Sequence, residues 1–239
     1  MKNYVIIILI IIVSSFSGCR NKNKQDSDSM QPTNGYPWVD NIDTVKQIIK
    51  DKGLDTVDFK KGEIIADIGA GNGYLEAMLS LFHDSLTFYI QDIDSIVCNQ
   101  KTVDSTVAFY QQISKKQLTN RFYAVNGTDF KTNLPDNVAF DKILMLYTYQ
   151  YFKNPKVIIT DLWQKMKPNG VMYIINPNIG SDSGSELTAK YGWNASPIEK
   201  QISDIIRCNF ELINISRNIR TSDKPYVMVF RKSRKADQM

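Results

Sequence analysis

The chain has a single histidine, His83, among 239 residues, and that scarcity removes the commonest metal ligand and the commonest general base at neutral pH. Cysteine is almost as scarce. Cys19, Cys98 and Cys208 lie far apart, so neither a metal-ligand spacing nor a disulfide framework is present. No run of Lys or Arg is dense enough to mark a nucleic-acid surface, and 29 basic against 25 acidic residues leave a net charge of only +4. No apolar run reaches the ~20 residues that a spanning helix needs. No internal repeat is visible. What remains is a chain with 43% hydrophobic residues, ample for a core, and a length that suits one α/β domain with an extension.

The informative stretch is Glu63–Leu75, Glu-Ile-Ile-Ala-Asp-Ile-Gly-Ala-Gly-Asn-Gly-Tyr-Leu. An apolar run, Ile64-Ile65-Ala66, has the character of a buried parallel strand and ends in Asp67. Gly69, Gly71 and Gly73 follow at alternate positions, and then Leu75, Met78, Leu79 and Phe82 recur at helical spacing. Strand, glycine turn and helix form the first unit of a doubly wound sheet, in which ligands bind at the carboxyl ends of the strands. A dinucleotide site prefers G-x-G-x-x-G, with a pyrophosphate on the helix N-terminus. Here the order is D-x-G-x-G-x-G, and Asp67 would repel a pyrophosphate while suiting an ammonium group.

This stretch resembles motif I of the class I S-adenosylmethionine-dependent methyltransferases. The resemblance implies a doubly wound, seven-stranded, mostly parallel sheet of the Rossmann-like methyltransferase kind, with S-adenosylmethionine as cofactor. It implies that Asp67, Gly69, Ala70, Gly71 and Gly73 hold the methionine end. Leu86–Ile90 reads as a second strand stopping at Asp92-Ile93-Asp94, where Asp92 takes the ribose hydroxyls, Ile93 lies beside the cofactor and Asp94 caps the next helix. A long helix is expected over Ser95–Lys116, with Cys98 in the core rather than reactive. Arg121–Val125 reads as the third strand, and Asp129 with Phe130 matches the position that meets adenine in the family. Phe140–Leu146 is the fourth strand. It runs into Tyr147-Thr148-Tyr149-Gln150-Tyr151-Phe152, where small-molecule members of the family often carry Asp-Thr-Tyr-His-His-Phe. With both histidines replaced, Tyr149 and Gln150 are the candidates for orienting an acceptor, against the alternative that they pack beneath the next helix.

The other elements follow from periodicity and punctuation. Thr44–Lys52 is a helix stopped by Gly53, preceded by Tyr36 and Trp38, which either pack or close over the cofactor. Asn154-Pro155 opens a helix that ends at Lys167-Pro168-Asn169-Gly170, and Val171–Ile175 is the fifth strand. The stretch Asn176–Ala195 is a long loop placed over the acceptor pocket. Ser196-Pro197-Ile198-Glu199 reads as a capping box for the last helix, and Phe210–Ser216 and Tyr226–Arg231 as the closing strands. The expected tally is seven strands, with helices between the first five or six.

Residues 1–19 read as a signal segment. Lys2 precedes the ten-residue apolar stretch Tyr4–Val13, and Phe16-Ser17-Gly18-Cys19 resembles a bacterial lipobox in which Cys19 is lipidated. Phe16 stands where Leu, Val or Ile is usual, and Arg20, Lys22 and Lys24 fit the alternative of an uncleaved hydrophobic N-terminus held inside. Residues 20–35 read as a polar tether, 36–232 as the methyltransferase-like domain and 233–239 as a polar tail. The expected function is methyl transfer to a small-molecule acceptor by a lipid-anchored protein of the cell envelope, with no metal and no nucleic-acid partner. The alternatives are a non-catalytic, membrane-anchored binding domain of the same fold and a protein- or RNA-modifying methyltransferase. One tension stands within this reading: a lipobox exports the domain, while S-adenosylmethionine is made inside.

Overall fold

The computed structural model describes residues 38–115, 117–176, 196–216 and 225–233. The signal segment with Cys19, the tether, Tyr36, the loop 177–195 and the tail from 234 onward lie outside the described residues.

Seven strands form one sheet in the order β3-β2-β1-β4-β5-β7-β6. They are β1 Ile64–Ile68, β2 Thr87–Asp92, β3 Arg121–Asn126, β4 Phe140–Leu146, β5 Met166–Asn176, β6 Phe210–Ser216 and β7 Tyr226–Lys232. The pairs β1–β2, β2–β3, β1–β4 and β4–β5 are parallel, while β7 lies antiparallel to both β5 and β6. The order reverses between β1 and β4, which opens a crevice at their carboxyl ends.

Strand period two sends alternate side chains to opposite faces. Ile65, Phe88, Ile90 and Leu144 join a core layer with α1 (Ile42–Asp51), α2 (Tyr74–Leu79) and α3 (Gln100–Ser114). Ala66, Ile143, Met145 and Ile174 join a second layer with α4 (Pro155–Lys165) and α5 (Ile198–Ile206). Each fully buried Ile, Leu, Phe or Met side chain contributes about 1.5–3 kcal/mol, so these two layers hold the sheet. The two described cysteines are divided between them. Cys98 lies in the first layer and Cys208 in the second, both buried and unpaired.

Several boundaries differ from the sequence reading, each for a local reason. The first helix starts earlier, at Ile42, because the Asn41 side chain accepts from the N–H groups of Asp43 and Thr44. Helix α2 stops at Leu79, so Phe82 falls outside it and is exposed rather than in the apolar stripe. Helix α3 begins at Gln100, capped by Asn99 on Thr102 N–H, rather than at Ser95. Asp94 instead caps a separate turn by accepting from Ile96 and Val97 N–H, and this leaves Ile96 exposed. Helix α4 has Pro155 at its first turn as expected, but Asn154 makes no side-chain cap. The cap of α5 falls on Pro197, one residue beyond Ser196 of the expected capping box.

Between β3 and β4 the chain is described throughout and contains no helix, so the expected succession of helices is broken there. The Lys167–Gly170 turn is absorbed into β5. Phe140 pairs with Met166 and Lys142 with Val171, so the extra residues bulge out of the ladder. Trp38 takes the packing option, its ring edge-on to Phe109 of α3 at 4.2 Å.

Candidate functional site

The glycine turn between β1 and α2 sits where β1, β2 and β4 end together. Gly69, Gly71 and Gly73 all have positive φ, at 75°, 59° and 75°. Two of them are also places of close approach. A Cβ on Gly69 would lie 2.4 Å from Thr148 Cγ2 and 2.9 Å from Thr148 Cβ, and one on Gly73 would lie 2.4 Å from Ile90 Cδ1. Gly69 and Ala70 N–H donate to Gln91 O at 2.7 and 3.0 Å, so the turn is fastened to the end of β2 as it leaves β1.

Asp92 completes that fastening. Its Oδ2 accepts from Gly71 N–H at 3.0 Å and its Oδ1 from Asp94 N–H at 3.0 Å. Each carboxylate oxygen has a further lone pair, so the grip on the turn leaves capacity for hydroxyl donors. Ile93, next along, is an exposed apolar side chain beside this acid. Beneath it the Cys98 thiol donates to Ile90 O at 3.2 Å, and burial pushes its pKa up to about 11, which makes it a core residue and a poor nucleophile.

Asp67 is 2% exposed and faces α2, where it meets Glu76 at 1% exposure, a residue that the sequence reading passed over. Burial is the largest reason that Asp67 stays protonated well above the usual carboxylate range, followed by the Glu76 charge, a hydrogen bond with Glu76, and Asp92. Glu76 is raised too, by burial, with its hydrogen bond to Asp67 working against that rise. Asp67 Oδ1, both Glu76 carboxylate oxygens and Asn72 Oδ1 are buried with no donor supplied by a hydrogen-bonding residue. Buried acceptors left without donors cost about 1–3 kcal/mol each, so this cluster is poised to receive something. A Glu within a six-residue helix whose other members are Tyr, Leu, Ala and Met is the signal that would have found it.

The strand-end acid expected at adenine behaves differently. Asp129 pairs with Lys153 at 2.5 Å, and Phe130 stands 64% exposed in a turn held by Thr128 Oγ1, which accepts from Phe130 and Lys131 N–H. Both lie on the β3 side of the crevice, where β3 runs into Gly127, whose N–H donates to Asp92 O at 3.0 Å.

After β4 the chain turns through Tyr147, a non-glycine residue at φ 58°. Such a conformation costs energy and is held here by Tyr147 N–H donating to Ile175 O and by Gln150 Nε2–H donating to Tyr147 O at 2.6 Å. Tyr147 also carries the Lys52 ammonium over its ring at 4.3 Å. Burial lowers the Lys52 pKa and raises that of Tyr147. Of the two acceptor-side candidates, Tyr149 is fully buried in the second core layer against Phe152, with its pKa raised by burial. Gln150 is 4% exposed and holds the Tyr147 turn. Both are buried, as the packing alternative has them, and in this turn it is Thr148 that lies against Gly69. His83 lies beyond α2, its ring tilted against Phe59, away from the glycine turn. Among the described residues no group of three His, Cys, Asp or Glu side chains could hold a metal ion.

No family profile and no curated protein sequence matches the chain. Solved structures do. The mitomycin 7-O-methyltransferase MmcR superposes with a TM-score of 0.61 at 13% identity, over 80% of this chain and 55% of that one. The chain thus spans about half the length of that neighbour. A magnesium protoporphyrin IX methyltransferase from Synechocystis PCC 6803 with bound SAH gives 0.54 at 12% identity, over 80% and 83%. A SAM-dependent methyltransferase from Aquifex aeolicus gives 0.51 at 16% identity, over 80% and 97%. At these identities the likeness is one of fold: the mostly parallel seven-stranded sheet, with β7 inserted antiparallel between β5 and β6, is the Rossmann-like fold of the class I methyltransferases.

Proposed function

We propose that this chain is an S-adenosylmethionine-dependent methyltransferase acting on a small-molecule acceptor. The observation that carries the reading is the joint between Gly71 N–H and Asp92 Oδ2, which binds the glycine turn to the acid ending β2 above a buried acidic cluster. The cofactor fits that arrangement. Its ammonium suits the donor-poor oxygens of Asp67 and Asn72, its ribose hydroxyls suit the free lone pairs of Asp92, and Ile93 and Phe130 offer apolar surface to a flat base. Asp129, held by Lys153, is the acceptor for an adenine amino group.

The cofactor, when bound, supplies a methyl group on a sulfonium that leaves without needing a proton. The work left to the chain is placement and exclusion of water, which can account for a large share of a rate enhancement. Tyr147 and Thr148 border the crevice on the acceptor side, and Gln150 fixes the turn that presents them.

Calorimetry is expected to show S-adenosylmethionine and its demethylated product binding while nicotinamide dinucleotides do not. Asp67→Asn and Asp92→Ala should each weaken binding by about 1.5–3 kcal/mol, roughly ten- to a hundred-fold. Wild-type protein that ignores both ligands would sink the reading. Binding without methyl transfer to phenols, amines, carboxylates and thiols would favour a non-catalytic binding domain.

We propose further that Cys19 carries a lipid anchor and that the domain is tethered to a bacterial envelope membrane. No described helix is long and apolar enough to cross a membrane. Labelled palmitate is expected to enter the wild-type chain and not Cys19→Ser, and the variant is expected to leave the membrane fraction. A variant that stays membrane-bound and unlabelled would point to an uncleaved hydrophobic anchor.

A further inference from the structure

Among the described residues the charges that act on Asp67 are acidic. Glu76 comes from α2, Asp92 from the end of β2, and the thiol of Cys98 feels both Asp92 and Glu76 from the segment after β2. Asp67 and Glu76 face each other as two buried carboxyl groups, and a hydrogen bond can join them only if one of them carries a proton. Both are more than nine-tenths buried, and three of their four oxygens meet no donor from elsewhere. The pair lies under a turn whose three glycines hold the backbone open.

We propose that Asp67 and Glu76 hold one proton between them in the ligand-free protein and release it to solvent when an ammonium-bearing ligand enters the glycine turn. This makes Glu76 a positioning residue that ties affinity to pH, and it rests on the reading of the ligand given above. The charges balance: the ligand brings one ammonium, one carboxyl O–H bond breaks, and the proton passes to the buffer. The singly charged, proton-bridged pair becomes two carboxylates, and the second negative charge is offset by the incoming ammonium, so the net charge of the site is unchanged.

The sign of the pH dependence follows from linkage. Below the pair's ligand-free pKa the proton must be expelled for the ligand to bind, so affinity rises as pH rises, by up to about tenfold per unit for one linked proton. Above that value the proton is already gone and affinity levels off. The same pair acts oppositely on folding. Its raised pKa means that the folded state binds more protons than the unfolded chain, so its contribution to stability falls as pH rises from the ordinary carboxylate range through the folded value.

The test is calorimetry on the full chain in buffers of different ionisation enthalpy, across about pH 5 to 9, a range that spans documented pKa values of buried carboxylic acids. S-adenosylmethionine and S-adenosylhomocysteine both carry the ammonium, and each is expected to release close to one proton on the low-pH side. Methylthioadenosine lacks it and is expected to release none. Glu76→Gln keeps the shape and supplies a hydrogen-bond donor toward Asp67, so the rise of affinity with pH should move to lower pH. Its melting temperature should equal or exceed that of wild type at alkaline pH, which separates a titration effect from misfolding. Asp67→Asn, which removes one of the two acids, should reduce proton release while retaining weakened binding. Binding of the two ammonium ligands with no proton release at any pH overturns the linkage alone. Absence of binding by all three ligands overturns the ligand reading, and the linkage with it.

Discussion

Gly69→Ala is expected to unfold at markedly lower denaturant and to lose ligand binding, through two separable causes. The first is conformational. Gly69 sits at φ 75°, a left-handed geometry that costs a residue with a Cβ about 1–2 kcal/mol. The second is contact: the new methyl would meet Thr148 Cγ2, Oγ1 and Cβ at 2.4, 2.5 and 2.9 Å. Rotating Thr148 moves the first two atoms but not its Cβ, so the turn after β1 and the turn after β4 must part, at about 1–3 kcal/mol for overpacking. The two costs together come to about 2–5 kcal/mol of stability. Displacing the turn from Asp92 should reduce affinity at least about tenfold. Thr148→Ala in the Gly69→Ala background should restore part of the contact cost and none of the φ cost, leaving a measurable coupling between the two sites. Urea denaturation of the four proteins checks this. Additive effects would show that the two turns do not press on each other.

Removing one partner of the Lys142–Glu63 ion pair should be comparably damaging to the fold and neutral for the site. The pair joins β4 to the residue that enters β1, with side chains only 7% and 15% exposed. Glu63 also accepts from Lys60 N–H, and the neighbouring Asp141 accepts from Ile64 N–H and pairs with Lys167. These contacts lie at the amino ends of the strands, opposite the glycine turn. Lys142→Met leaves the Glu63 carboxylate short of its counter-charge, and a loss of about 3 kcal/mol is expected, the lower end for a buried pair because Glu63 keeps a little water contact. The double variant Lys142→Met, Glu63→Gln should regain most of that loss. Ligand affinity, measured well below the melting transition, should be unchanged in both. A drop in affinity in the single variant while it is still folded would show that the two ends of the sheet are not independent.

Much of this architecture is legible in the chain because local and global preferences agree. The run Ile64-Ile65-Ala66 is apolar without alternation, as a strand covered on both faces requires, and the glycines at 69, 71 and 73 are needed by three positive φ values. Asp92 could be placed by its distance from the glycine turn taken together with the resemblance to motif I, and its Oδ2 accepts from Gly71 N–H. Other features were hidden. Glu76 was signalled only by its place in a six-residue helix otherwise built of Tyr, Leu, Ala and Met, a cue easy to pass over. Tyr149 and Gln150 lie in the right loop, but the left-handed turn at Tyr147 directs them inward, and a tyrosine at φ 58° has no sequence signature. The missing helix between β3 and β4 was obscured by the regular alternation before and after it.

The division of the two described cysteines has a chemical consequence. Cys98 and Cys208 sit in core layers on opposite faces of the sheet, so the folded domain cannot close a bridge between them. Both thiols are buried, each donates to backbone carbonyls, and burial raises both pKa values, which leaves almost no thiolate for an oxidant or a stray disulfide to attack. A fold built this way gains nothing from an oxidising compartment and loses nothing in a reducing one. Its described cysteines record no preference for either side of a membrane.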